Sequence, residues 1–417
     1  MNALIKLSFI SLLFISSTLQ ADNTVSLKQA LELALSNDAL ISGLVAKQDS
    51  WHQLSHASQT WDDPKLRFGA QAVPIDTFNL DQEPMTQLVL GYQQNFPRGN
   101  SLKNKTDLMK ANASTQASKV ESRKRQVILA VKKSWYEVWY RENAISIIES
   151  NRKVFEEILN INEEFYASGR ANQQSVVQAE LDISLIDDKL QTMQSELFVA
   201  QEELAKWLGV NDVRVVHGGI DANEYTLKPL PVLQSLIKQH PQLKQAQDNL
   251  NMQRSALALE EDKYSAQWGL DVRYGNRQGE RADGSDLPDF MTAMVTLDLP
   301  VFTEEKQDRH VASGKSKVKS ARYQLIDTQR EILKKLKQTH ARMLKFKQRL
   351  KLYSEKINSQ AKQNKEVAMR GYRSGVVDFL TLSKAQVTEF NTRLAELKLK
   401  YQFSLSKSDL EFLVGNQ

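Results

Sequence analysis

No cysteine occurs anywhere in the 417 residues, which removes disulfides, thiolate nucleophiles, thiolate metal sites and a lipid-modified N-terminal cysteine. Glycine (16) and proline (9) are scarce for this length, so turns are few and the Ala/Leu/Lys/Glu/Gln-rich remainder favours long helices. After the first twenty or so residues no stretch is apolar for about 18 positions, so any membrane crossing by the mature chain must use β-strands. An excess of one charge is missing too, with 55 Lys and Arg against 50 Asp and Glu and a net charge of +5. Basic residues do crowd the segment from Lys334 to Lys351. A single aromatic residue, Phe346, lies among them, too few for base stacking, so the segment reads as a solvated helix face and no nucleic-acid partner is expected.

What is present is a tandem duplication. A shift of 206 residues matches Lys65-Leu-Arg-Phe-Gly69 to Asp271-Val-Arg-Tyr-Gly275, Met85-Thr86 to Met291-Thr292, and Phe96 to Phe302. It also matches Tyr166-Ala-Ser-Gly169 to Tyr372-Arg-Ser-Gly375, Ala179 to Ala385, and Gly209 to Gly415. Two similar halves, 22–214 and 215–417, are expected, preceded by a secretory signal at 1–21. That signal has Lys6, an apolar run from Leu7 to Leu19 and a cleavage site before Asp22. An uncleaved anchor helix is the alternative.

Each half repeats the order helix, strand, loop, strand, very long helix, tight turn, long helix. Leu66, Phe68, Ala70 and Ala72 alternate with Lys65, Arg67 and Gln71, and Leu88, Leu90 and Tyr92 alternate with Gln87, Gly91 and Gln93. The second half does the same with Trp268, Leu270, Val272 and Tyr274, and a fourth strand is expected over 290–299. Such alternation fits a membrane barrel around a wet lumen, and equally a half-buried soluble sheet. After Gly99 nothing breaks a helix until about Phe165, some 65 residues or about 100 Å. The next helix carries a seam of steps of three and four through Ile183, Ile186, Leu190, Met193, Leu197, Ala200 and Leu204. An antiparallel coiled-coil hairpin turning at Tyr166–Arg170 is therefore predicted. The second hairpin turns at Tyr372–Gly375, with a shorter seam through Val387, Phe390, Leu394, Leu397 and Tyr401 that is more polar around Ser404 and Ser408. Four strands do not close a barrel, so an oligomer is required, and three copies would supply twelve strands and twelve coiled-coil helices.

With these elements the chain resembles the outer membrane efflux protein family, the TolC-like exit ducts of tripartite pumps. The resemblance rests on the duplicated element order, on Gln94-Asn-Phe-Pro-Arg-Gly99 and Asp298-Leu-Pro-Val-Phe302, and on the two hairpin tips. It implies a mainly α fold with a small transmembrane β part, tandem-duplicated hairpins forming an α-barrel, and a homotrimer with a 12-stranded barrel in outer-membrane lipid. It further implies partnership with a periplasmic adaptor protein and a proton-driven inner-membrane pump. On the same grounds the tips, Tyr166, Ser168, Gly169, Tyr372, Ser374 and Gly375, are expected to meet the adaptor.

Relatives often carry acid just past the second tip as a constriction, where this chain has Thr381 and Lys384. Those two and nearby Asp378 are the gate candidates, although Asp378, like Asn172, also stands where a helix N-cap belongs. The compact length points to the heavy-metal branch of the family. A type I secretion duct and a soluble periplasmic coiled-coil scaffold are the alternatives. No cofactor, metal or catalytic residue is expected: His52 and His56 lack a third ligand, and Gly314-Lys315-Ser316 lacks the glycine of a phosphate loop.

Overall fold

The computed structural model describes residues 24–211, 213–215 and 225–415. The expected signal segment, 1–21, lies outside them. In chain order the elements are β1 (Thr24–Val25), α1 (Leu27–Asn37), α2 (Ala39–Ala57), β2 (Lys65–Gln71), β3 (Gln87–Asn95), α3 (Ser101–Ala167) and α4 (Gln173–Leu208). Then follow β4 (Arg214–Val215), α5 (Leu230–Leu236), α6 (Pro241–Glu261), β5 (Gln267–Asn276), β6 (Phe290–Asp298), α7 (Gln307–Leu352), α8 (Asn358–Arg373) and α9 (Phe379–Val414). A π-turn at Tyr353–Ile357 joins α7 to α8, so the second long helix runs without a break from 307 to 373. Ser26 and Gln29 form a reciprocal capping box at α1, and Asp38 caps α2 through its contact with the amide of Ile41 at 2.7 Å.

The 67 residues of α3 make a rod of about 100 Å. No single core can serve such a length, and the apolar contacts fall into four clusters spread over the helical body. One joins Trp135, Val138 and Trp139 to Ala30, Ala34 and Leu204. A second gathers Leu233, Ile332, Leu336 and Phe403, and a third joins Ile148 and Phe155 to Ile186 and Phe390. The last, at the tips, holds Ile158, Tyr372, Phe379 and Leu382. Side by side, the helices run α2 with α4, then α3, then α6 with α9, then α7 with α8.

The four strands form one antiparallel sheet in the order β2-β3-β5-β6. Its register places Leu66 beside Tyr92, Tyr92 beside Val272, and Val272 beside Ala293. One face is therefore apolar from edge to edge. Among the described residues no helix packs across it, and Phe68 is 88 % and Met291 78 % exposed.

Two sequence expectations need correction here. The 206-residue shift does not hold through the strands: Lys65 pairs with Gln93, whereas its counterpart Asp271 pairs with Met294 rather than Leu299. The loops between the strands have changed length, which surface connections tolerate and helix seams do not. Within the second seam, Val387 is exposed and its neighbour Gln386 is buried instead. Through the long helices the shift is kept, since α3 and α7 start in step and α4 and α9 start and end in step.

Candidate functional site

The two hairpin turns share one construction. Gly169 and Gly375 sit at φ +72° and +74°, the left-handed region where a Cβ is strained, and each lets the chain reverse within a few residues. Gly169 N–H donates to the carbonyl of Tyr166 and Gly375 N–H to that of Tyr372, both at 3.0 Å. The hydroxyls of Ser168 and Ser374 turn back onto carbonyls of the preceding helical turn. Nothing lies within 4 Å of a Cβ placed on either glycine, so both tips are open to a partner. Asn172 and Asp378 cap the outgoing helices, accepting from the amides of Ser175 (3.0 Å) and Thr381 (2.9 Å).

The tyrosines break the equivalence. Tyr166 is 50 % exposed, while Tyr372 is 6 % exposed and packs near Phe165 and Phe379. Tyr372 O–H donates to the side-chain carbonyl of Asn162 on α3, and burial raises its pKa. The expectation that Tyr372 is a contact surface is therefore corrected: within the chain it ties the second tip to the first hairpin. Tyr166, Ser168, Gly169, Ser374 and Gly375 remain at the surface.

Of the gate candidates, Thr381 and Lys384 are exposed on one face of α9, with Leu380 beside them. Asp378 is engaged as a cap, and the hydrogen bonds from Thr381 lower its pKa, so it stays ionised. Asp378 and Thr381 thus meet through the cap, and no cluster of metal-binding side chains is found among the described residues. His52 and His56 are exposed on α2, and Gly314 lies within α7, where it admits Leu257 of α6.

Sequence reading missed a layer of buried polar links between the hairpins. Gln386 donates to Asn151 at 2.9 Å, Ser383 to Asp182 at 2.6 Å, and Tyr401 to Glu137. A signal was available, because Asn151 falls between Ile148 and Phe155, and Asn162 follows Leu159, at seam spacing. Polar residues at seam positions specify register where apolar ones would slide.

At the other end of the molecule, the face of the sheet opposite the apolar one carries Arg67, Gln93, Asp271 and Arg273. Asp271 lies 2.7 Å from Arg273 and 3.4 Å from Arg67. Below the sheet Arg98 reaches Asp298 and donates to Gln267 at 3.0 Å, which brings together the two segments that open the long helices. Phe96 stacks on Trp268 with centroids 4.2 Å apart, whereas its sequence counterpart Phe302 is 92 % exposed.

An amphipathic four-stranded sheet with open edges, standing on paired helical hairpins about 100 Å long, defines a subunit of an outer-membrane channel. The family model for outer membrane efflux proteins matches residues 30–210 and 232–416. The chain belongs to the outer membrane efflux protein family, whose members are passive channels with a large periplasmic portion and not enzymes. No curated protein matches the sequence. Among solved structures, CusC is 14 % identical with a TM-score of 0.77, over 94 % of this chain and 92 % of that one. The outer membrane protein VceC from Vibrio cholerae is 14 % identical with a TM-score of 0.78, over 94 % and 96 %. The open state of the Neisseria gonorrhoeae MtrE channel is 13 % identical with a TM-score of 0.77, over 94 % and 89 %.

Proposed function

We propose that three copies of this chain form a passive exit duct through which a tripartite pump expels small molecules or metal cations. The uncovered apolar face carries this reading. A soluble scaffold would leave Leu66, Phe68, Leu90 and Met291 in water, whereas a closed barrel gives them lipid and pairs the free edges of β2 and β6. Polar side chains on the other face then line the lumen, and the hairpins of repeats 22–214 and 215–417 continue it as a tunnel. The open tips around Gly169 and Gly375 are the surfaces offered to a periplasmic adaptor, and Thr381 and Lys384 are the side chains closest to a constriction there. The duct performs no chemistry; it presents a polar path and opens.

Membrane fractionation of cells expressing the full chain tests this. Recovery in the outer membrane as a trimer that dissociates only on heating is expected, and an entirely soluble protein would sink the reading. Complementing a duct-deficient host, scored with drugs and with metal salts separately, identifies the cargo class. Neighbouring genes add a second discriminator, since an ATP-binding exporter beside this one would favour protein secretion.

A further inference from the structure

Both edges of the protomer leave long stretches of helix exposed among the described residues, and they carry opposite charge. On one edge, α4 has seven acidic side chains against two basic, and it exposes Leu181, Leu185, Phe198 and Val199 between them. On the other, α7 has fourteen basic side chains against three acidic, and it exposes Tyr323, Leu344 and Leu352. α8 adds four basic to one acidic. Glu180, Asp188 and Glu202 on the first edge are exposed and form no ion pair among the described residues, and the same holds for Lys337, Arg349 and Lys362 on the second.

From these observations we infer that the acidic α4 edge of one copy docks on the basic α7–α8 edge of the next, and that this charge pairing directs assembly of the duct. The inference rests on the trimeric reading above and deepens it. Strand and helix order agree: β2 follows α2 on the acidic side, β6 leads into α7 on the basic side, and both are open sheet edges. A second copy placed head to tail thus continues the sheet and the helix wall together. Heights agree as well. α4 climbs from one tip and α8 descends to the other, so the about 54 Å of α4 runs beside the stretch that holds Lys337, Arg349 and Lys362. Like edges repel, which disfavours a two-fold pair and leaves head-to-tail closure.

Three full-length variants test this in detergent, with helix content checked by circular dichroism and assembly by native mass spectrometry. The acidic triple E180K/D188K/E202K and the basic triple K337E/R349E/K362E are each expected to yield less than about a tenth of the wild-type trimer. All six substitutions together restore it, which also shows that the substituted chain folds. Mixing the two triples is diagnostic. Each contact between unlike variants is attractive, yet a ring of three must contain one like contact, so dimers and not trimers are expected. Wild-type trimer levels from both triples, trimers from the mixture, or failure of the sixfold variant to assemble would each overturn the inference. None of these outcomes touches the duct reading, which fails only if the wild-type chain itself is soluble or monomeric.

Discussion

At the scale of single residues, the tip region is governed by a few polar groups that are buried or capped. Tyr372→Phe leaves the buried Asn162 carbonyl without its donor, and a loss of about 1–3 kcal/mol is expected. The readout is faster hydrogen exchange at the second tip, with the outer-membrane trimer intact. Gly169→Asp and Gly375→Asp meet open space and add only about 1–2 kcal/mol of left-handed backbone strain each, so they should leave folding and trimers in place while abolishing export through loss of close approach by a partner. Unchanged resistance in both mutants would exclude the tips as the docking surface.

His240 supplies a pH dependence. Burial, followed by the nearby Arg125 charge, pushes its pKa down to about 4, and its Nδ1 accepts from Gln242 at the start of α6. The folded chain holds this imidazole neutral where the unfolded chain would bind a proton. Its contribution is complete above about pH 6.5 and is lost as pH falls toward about 4, by up to about 3 kcal/mol. His240→Asn keeps a capping side chain without a titrating group, so its stability curve from urea melts should be flatter across that window.

Among elements, the helices were legible from sequence and the sheet was not fully so. The seam through Ile186, Ala200 and Leu204 is buried as its spacing predicts, because a helix facing one partner must repeat its apolar residues at the turn. Leu204 is fully buried, and Leu204→Ala is expected to cost about 2–5 kcal/mol in thermal or chemical unfolding. Alternation located all four strands, yet it could not say whether the apolar face is covered by the chain itself; the exposure of Phe68 and Met291 answers that. Register across the strands also escaped, since it depends on loop lengths that the match of Met85-Thr86 to Met291-Thr292 disguises. The tips' glycines and caps were readable because a left-handed turn and an N-cap each demand particular residues. Tyr372 was not, because nearly identical tip sequences hide which neighbour each ring meets.

For the molecule as a whole, sheet and rods impose different solvents on one chain. Leu90 lies in the middle of the apolar face, and Leu90→Arg should destabilise the assembled barrel by about 2–4 kcal/mol if that face meets the bilayer core. A chemical unfolding series in lipid vesicles measures this, and a negligible change would place the face in water.

The bond between Tyr372 and Asn162 has one more implication. Carried through the 206-residue shift, its two ends become Tyr166 and Ala368, and the Gln386–Asn151 pair becomes Glu180 and Ile357. Neither alanine nor isoleucine has an amide to offer. If three copies close as proposed above, the seams inside each subunit carry these side-chain hydrogen bonds, whereas the seams between copies lack them and depend on the charged edges.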